Sequence, residues 1–277
     1  MTTYLAARTL LLAQPDRANA PTLPPSPEGT NAAELVRNLL STGPGAAARF
    51  AFNEPERLRW RRDPAPRPGL AVKDMTPEQV GLLDQLLQTA LSDFGLQCLT
   101  DIRREQDMRG RHEDGLGAGY FWFAAYGAPW AWRLGGHHVS LHFTYDGDDL
   151  VSAAPLMLGG ELAGDNEADW AGYRCVRPRE VTARALIAHL DDRLWAKAQV
   201  EETAPRGMEL SEPRPSALGD TRGLRLSEAD PKHRLLARNI LETHLSVLKQ
   251  PLAEGLIRQF DGRPDSFYLA WAGPRAP

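Results

Sequence analysis

Gly136-His137-His138-Val139-Ser140-Leu141-His142-Phe143-Thr144 alternates apolar and polar residues from position 138 onward. It follows an aromatic run, Tyr120-Phe121-Trp122-Phe123, and a segment Trp130-Ala131-Trp132-Arg133 that reads as a turn. Across 118–159, aromatic and β-branched residues alternate with small or polar ones, as in half-buried strands. The block predicts two to four strands. A tight hairpin at Asp146-Gly147-Asp148 joins 138–145 to 150–157.

Outward from this block the period changes to that of helices. Thr76-Pro77-Glu78-Gln79 carries a helix start: a capping threonine, proline at the first helical position, and glutamine three residues after the cap. Val80, Leu83, Leu86, Leu87, Ala90 and Leu91 then share one face, and Gly95 is the expected stop. A second helix is expected from Leu96 to about Met108. Upstream, Asn31 is a candidate cap for a helix bearing Leu35, Val36, Leu39 and Leu40. Downstream, Pro178 opens a helix with Val181, Ala185, Ile187, Leu190, Leu194 and Trp195, and Asp230-Pro231 opens another, reaching Leu248. Residues 201–223 read as a polar, proline-rich loop, and Phe267 to Trp271 as a final strand. Strands clustered between helices predict an α+β fold, an antiparallel sheet flanked by several helices. Residues 1–30 are expected to form an N-terminal helix and Pro-rich linker, and 31–277 one domain.

The 277 residues carry a formal net charge of -4. Nucleic-acid binding is not expected of a slightly acidic chain, because a basic surface is its footprint. No run approaches the roughly 20 apolar residues of a membrane span. The apolar run Leu10-Leu11-Leu12-Ala13 is too short for a signal core. Two cysteines, Cys98 and Cys175, cannot build a disulfide framework and read as buried thiols, which suits a reducing, cytoplasmic setting.

Three of the seven histidines fall within six residues, 137 to 142. Histidine is the commonest metal ligand and the usual proton-transfer group near neutral pH. Strand alternation puts His138, Ser140, His142 and Thr144 on one face, and His137 with Val139, Leu141 and Phe143 on the other, apolar one. His138 and His142 would then stand about 13 Å apart at roughly 3.3 Å per residue, too far for one ion with metal–nitrogen bonds near 2.1 Å. A metal would need a further ligand, with Glu105 and Glu161 as candidates. The expected metal set is His137, His138 and Glu105, for a divalent transition metal. The expected catalytic set is His138, Arg133 and Glu161, acting on a small molecule. Against this stands a plain reading: His137 as a satisfied core histidine, Glu105 in an ion-paired helix face with Arg109, Glu161 in a loop, and Glu180–Arg184 as an i,i+4 pair. No P-loop, dinucleotide glycine fingerprint, Gly-x-Ser-x-Gly elbow or Cys-x-x-Cys occurs.

Several motifs resemble a known family, the one catalogued as domain of unknown function 3500. Its opening is matched by Phe52-Asn53-Glu54-Pro55-Glu56-Arg57-Leu58-Arg59-Trp60, Pro68-Gly69-Leu70 and Met75-Thr76-Pro77-Glu78-Gln79. Its signature is matched by Tyr120, Tyr126-Gly127-Ala128-Pro129, Trp132-Arg133, Gly136 to Leu141, and Thr144. Gly172-Tyr173-Arg174 with Glu180 and Arg184 is similar to its next motif, and Phe267 to Gly273 to its tryptophan-containing strand. The likeness spans roughly 45–273. Family members usually carry Asn at position 142, which leaves His137 and His138 as the family-level pair. The family pattern continues into a Tyr-Tyr-Arg motif and a further His-x-His, beyond Pro277. The resemblance therefore implies a C-terminally short member, with either a homodimer through a strand near Trp271 at the sheet edge or a half-open cleft beside His138. It implies no activity. Two readings follow: a metal-dependent enzyme, with oxidative chemistry as its specific form, or a non-catalytic small-molecule-binding or structural protein whose histidine pair is a packing feature.

Overall fold

The structure, a computed structural model, describes residues 27–57, 59, 64–110, 117–127, 129–160, 175–203 and 222–275. In chain order, the described elements are α1 (Pro27–Ser41), β1 (Arg49–Phe50), β2 (Leu70–Ala71), α2 (Pro77–Ala90), α3 (Asp93–Arg109), β3 (Phe121–Tyr126), β4 (Trp130–Gly136), β5 (Val139–Asp146), β6 (Asp149–Ser152) and β7 (Leu156–Leu158). There follow α4 (Arg177–His189), α5 (Asp192–Ala198), β8 (Gln199–Glu201), β9 (Leu224–Arg225), α6 (Pro231–Leu245), α7 (Gln250–Gly262), β10 (Tyr268–Leu269) and β11 (Trp271–Ala272). The fold is α+β, and its main sheet is mostly antiparallel.

The main sheet runs β1-β3-β4-β5-β6, with β2 beside β3 and β7 beside β5. Only β1 joins it in parallel, against β3. The Trp130–Arg133 segment, expected as a turn, is the first half of strand β4. Its aromatic residues explain the difference. Trp130 stacks on Tyr145 at 4.1 Å and Trp132 on Phe143 at 4.5 Å, and both are directly opposed pairs of the β4–β5 ladder. Such cross-strand aromatic pairs each contribute roughly 0.5–1.5 kcal/mol beyond area burial. The predicted hairpin after Asp146 is present: Asp146 pairs with Asp149, and Gly147 takes the positive φ that the two-residue turn needs.

Alternation gives the sheet two covered faces. Phe121, Phe123, Trp132, Leu134, Val139, Leu141 and Phe143 all belong to the main core, which the helices close. The other face carries Trp122, Ala124 and Tyr126, then Ala131, Arg133 and Gly135, then Ser140, His142 and Thr144. Phe50 and Phe52 pack on Ala124, Tyr126 and Ala131, so the described residues of 50–71 lie across this face as a strap. Gly69, at φ +134°, passes so close to β3 that an added Cβ would sit 2.3 Å from the Phe123 carbonyl oxygen. The Pro68-Gly69-Leu70 motif is thus a close-approach site.

Helix boundaries shift for local reasons. Thr76 and Gln79 form the expected capping box. The helix ends at Ala90 rather than Gly95, because Ser92 caps the next one by accepting from the Gly95 amide. Helix α1 starts at Pro27, ahead of the expected Asn31 cap. The helix expected to run through Leu194 breaks at Leu190, where Asp191 caps α5. The C-terminal strand does not lie at the edge of the main sheet. Trp271 and Ala272 pair in parallel with β8, and Tyr268 and Leu269 pair with β9. Among the described residues, no helix is long and apolar enough to cross a membrane.

Strand β7 is an edge, and two side chains close it. The amide of Gly159 donates to the His138 carbonyl and that of His142 to Pro155, so the carbonyls of Leu156 and Leu158 face away from β5. Arg179 of α4 donates to the Leu158 oxygen at 2.7 Å, and His244 of α6 bonds the Leu156 carbonyl. Edge protection by side chains keeps this strand from templating another.

Candidate functional site

The histidine pair does not lie in a strand. Gly136 pairs directly with Val139, which makes His137 and His138 the two central residues of a tight β-hairpin turn. Face alternation therefore begins at Val139, and the expected assignment of His137 to the apolar face and His138 to the polar one does not apply. His138 has a φ of +60° and is the only non-glycine residue with positive φ among those described. Glycine and asparagine adopt that conformation readily; histidine does so at a cost of about 1–2 kcal/mol. It is 4% exposed, whereas His137 is half-buried. The two rings stack at 3.9 Å with 37° between their planes. The turn is drawn tight by Gly136, where a Cβ would meet the Phe121 ring at 2.4 Å.

Helix α3 supplies the rest of the site. Gly95, Cys98, Leu99, Ile102, Glu105 and Gln106 line its buried face at the three- and four-residue spacing of a helix stripe. The last turn thus carries two polar side chains into the interior. The Gln106 Oε1 lies 2.8 Å from His137 Nδ1. An amide oxygen only accepts, so in this contact Nδ1 carries the proton. Gln106 is buried, and its Nε2 has no hydrogen-bond partner among the described residues. Its neighbour Glu105 is also buried and pairs with Arg109 at 3.6 Å.

Of the expected site residues, the structure brings Glu105 and the histidine pair to the same end of the sheet. Arg133 is elsewhere, on the opposite face and only 2% exposed. Its guanidinium donates to the carbonyl of Glu56 at 2.5 Å and of Pro68 at 3.1 Å, and it pairs with the Glu56 carboxylate at 3.4 Å. Glu161 lies outside the described residues, as do Leu58, Trp60, Ala128 and Gly172-Tyr173-Arg174. Among the described residues, no group of three His, Cys, Asp or Glu side chains is placed to hold a metal. Sequence reasoning missed Gln106. The signal was present as a buried-stripe position at the end of an amphipathic helix.

His142 stands opposite Arg133 on the strapped face. Its Nδ1 donates to the Arg57 carbonyl at 3.0 Å, and its Nε2 accepts from Ser140 Oγ at 3.0 Å. Both nitrogens are satisfied in the neutral form. Burial first, and the Arg133 charge second, push its pKa down to about 3. On the same face burial pushes the Tyr126 phenol up to about 12, opposed in part by Arg133. This constellation ties the strap to the sheet.

A family model describing a protein of unknown function, DUF3500, matches residues 25–277. The chain belongs to the DUF3500 family. This DUF3500 protein matches none of the curated proteins and none of the solved structures with which it was compared. The family match spans the strap, the signature hairpin and the C-terminal strands alike.

Proposed function

We propose that this DUF3500 protein binds a small ligand at the His137–His138 turn. The observation that carries the reading is the histidine in left-handed backbone conformation at position 138, held where a glycine would be cheaper. Backbone strain of this kind gathers at binding and catalytic sites. The Gln106 contact supports it, because a hydrogen-bond acceptor on Nδ1 is what orients a ligating or proton-accepting imidazole.

The specific form of the reading is a metal-dependent enzyme, with oxidative chemistry open to it. His137 and His138 with Glu105 are its ligands and a divalent transition metal its cofactor. Because two stacked rings do not converge on one ion, a ring rotation or a further donor is required for that form, and Glu161 is the candidate. His138 is then the group at the chemistry, Glu161 its expected catalytic partner, and Arg133 acts from the far face through the strap. The alternative is a non-catalytic protein in which the pair is a packing feature. Two buried thiols suit a cytoplasmic setting, and a homodimer belongs to this reading.

Metal analysis of protein purified without a histidine tag separates the forms. Near-stoichiometric transition metal that is lost in His137→Ala is the expected result. Metal near zero in both proteins removes the metal-dependent form.

A further inference from the structure

We propose that Gln106 sets the specificity of the histidine turn, its Nε2 donating to the oxygen of a carboxylate or carbonyl group on the bound molecule. This role rests on the reading that the turn binds a small ligand, and it names that ligand's chemistry.

The Gln106 side chain is committed on one side only. Its Oε1 lies 2.8 Å from His137 Nδ1. Its Nε2 carries two N–H donors and has no hydrogen-bond partner among the described residues. The residue is 1% exposed, and an unmade donor at that depth is costly. Oxygen and nitrogen share one carbon through amide bonds of about 1.23 and 1.33 Å. Nε2 therefore lies no more than about 5 Å from His137 Nδ1. A molecule touching the His137 ring is within reach of this donor.

Packing does not account for a glutamine here. Position 106 continues the buried stripe of Cys98, Leu99 and Ile102 on α3, where a methionine fills similar space and leaves no donor unmade. Fixing the His137 proton does not account for it either, since that takes an acceptor alone. The amide adds a donor set in a dry place, beside a turn in which His138 holds φ +60°. Such a donor discriminates strongly, because a ligand without an acceptor leaves it unpaired. The amide is uncharged, and the neighbouring Glu105 carboxylate is paired with Arg109 at 3.6 Å. A neutral carbonyl and a carboxylate therefore meet the same donor, and a cation without an acceptor oxygen does not.

The test follows the side-chain amide signals of isotope-labelled full-length protein while sodium acetate, acetamide and methylammonium chloride are added in separate series. The imidazole signals of His137 are read in the same samples. The expected result is a saturable shift of the Gln106 amide with acetate, acetamide or both, and none with methylammonium. A response to acetate alone assigns a carboxylate ligand, and a response to acetamide assigns a carbonyl. Gln106→Glu keeps an acceptor for His137 Nδ1 and removes the donor. It should leave the His137 proton on Nδ1 and weaken probe binding about tenfold or more. Should that variant not fold, the titration of the parent protein alone decides. Unchanged binding in Gln106→Glu, a shift with methylammonium alone, or an amide in contact with water that no probe moves overturns the proposal. If the probes or zinc move His137 and leave the Gln106 amide still, the specificity role fails and the ligand reading stands. If neither the probes nor zinc move any residue of the turn, the ligand reading fails with it.

Discussion

His138 combines burial with a backbone conformation that disfavours any side chain, so its substitutions separate ring from backbone. His138→Ala removes the ring from its stack on His137 and keeps the strained φ. His138→Gly removes the ring and the strain together. Glycine should therefore be the milder change, by about 1 kcal/mol in a denaturant melt. A glycine variant less stable than the alanine variant would mean that the backbone at 138 is not strained. His142 gives the complementary residue-scale prediction. Its folded pKa lies near 3, below the ordinary histidine value of 6.5. Between those values the unfolded chain binds a proton that the folded chain does not, so stability falls as the pH drops from about 6.5 toward 3, by about 1.4 kcal/mol per pH unit from this group. His244, pushed down to about 3 by burial and then by Arg179, acts in the same direction. His142→Asn keeps a donor for the Arg57 carbonyl and does not titrate. Its urea midpoints between pH 4 and 6.5 should fall less steeply than those of the parent chain. Identical slopes would show that His142 is already protonated, or exposed, in the folded protein.

At the scale of elements, the strap over the second sheet face hangs on Arg133. Its partners are the Glu56 carboxylate and the carbonyls of Glu56, Arg59 and Pro68, four sites on a segment whose strands in the sheet are only two residues long. Removing one member of a buried pair leaves the other charged and desolvated, at a cost of about 3–5 kcal/mol. Arg133→Met should therefore be strongly destabilising, and adding Glu56→Gln should cost far less than the two single losses together. Additive losses in that cycle would show that the pair is not coupled. The sheet itself was legible in the sequence, because the β3, β4 and β5 residues alternate cleanly around aromatic pairs. The strap was not: Glu56 and Arg57 look like a solvated charge run, and only a partner 77 residues away on β4 makes Glu56 a buried anchor. The histidine turn was misplaced by one step for a related reason. Alternation continues formally through 138, and nothing local shows that Gly136 opposes Val139 across a two-residue turn.

For the whole molecule, the helix face of the sheet forms one core while the strap closes the other face, and the histidine turn lies at the sheet end where the last turn of α3 meets it. The α+β class followed from the order of periodicities along the chain. The joining of distant residues did not: the buried stripe of α3 marks Gln106 as an interior residue but not His137 as its partner, and Arg179 and His244 at the β7 edge and Trp271 beside β8 are tertiary pairings with no local sequence signal. Histidine clustering located the candidate site, but its partner on α3 required the fold.

The central claim is that Gln106 holds the His137 imidazole in one tautomer, with its proton on Nδ1. Long-range proton–nitrogen NMR of the imidazole rings measures that directly. At neutral pH, His137 should show a protonated Nδ1 and a pyridine-type Nε2. The Nε2 signal should respond to added divalent zinc, and Gln106→Leu should mix the tautomers. A His137 ring with its proton on Nε2, insensitive both to zinc and to the loss of Gln106, would contradict the account.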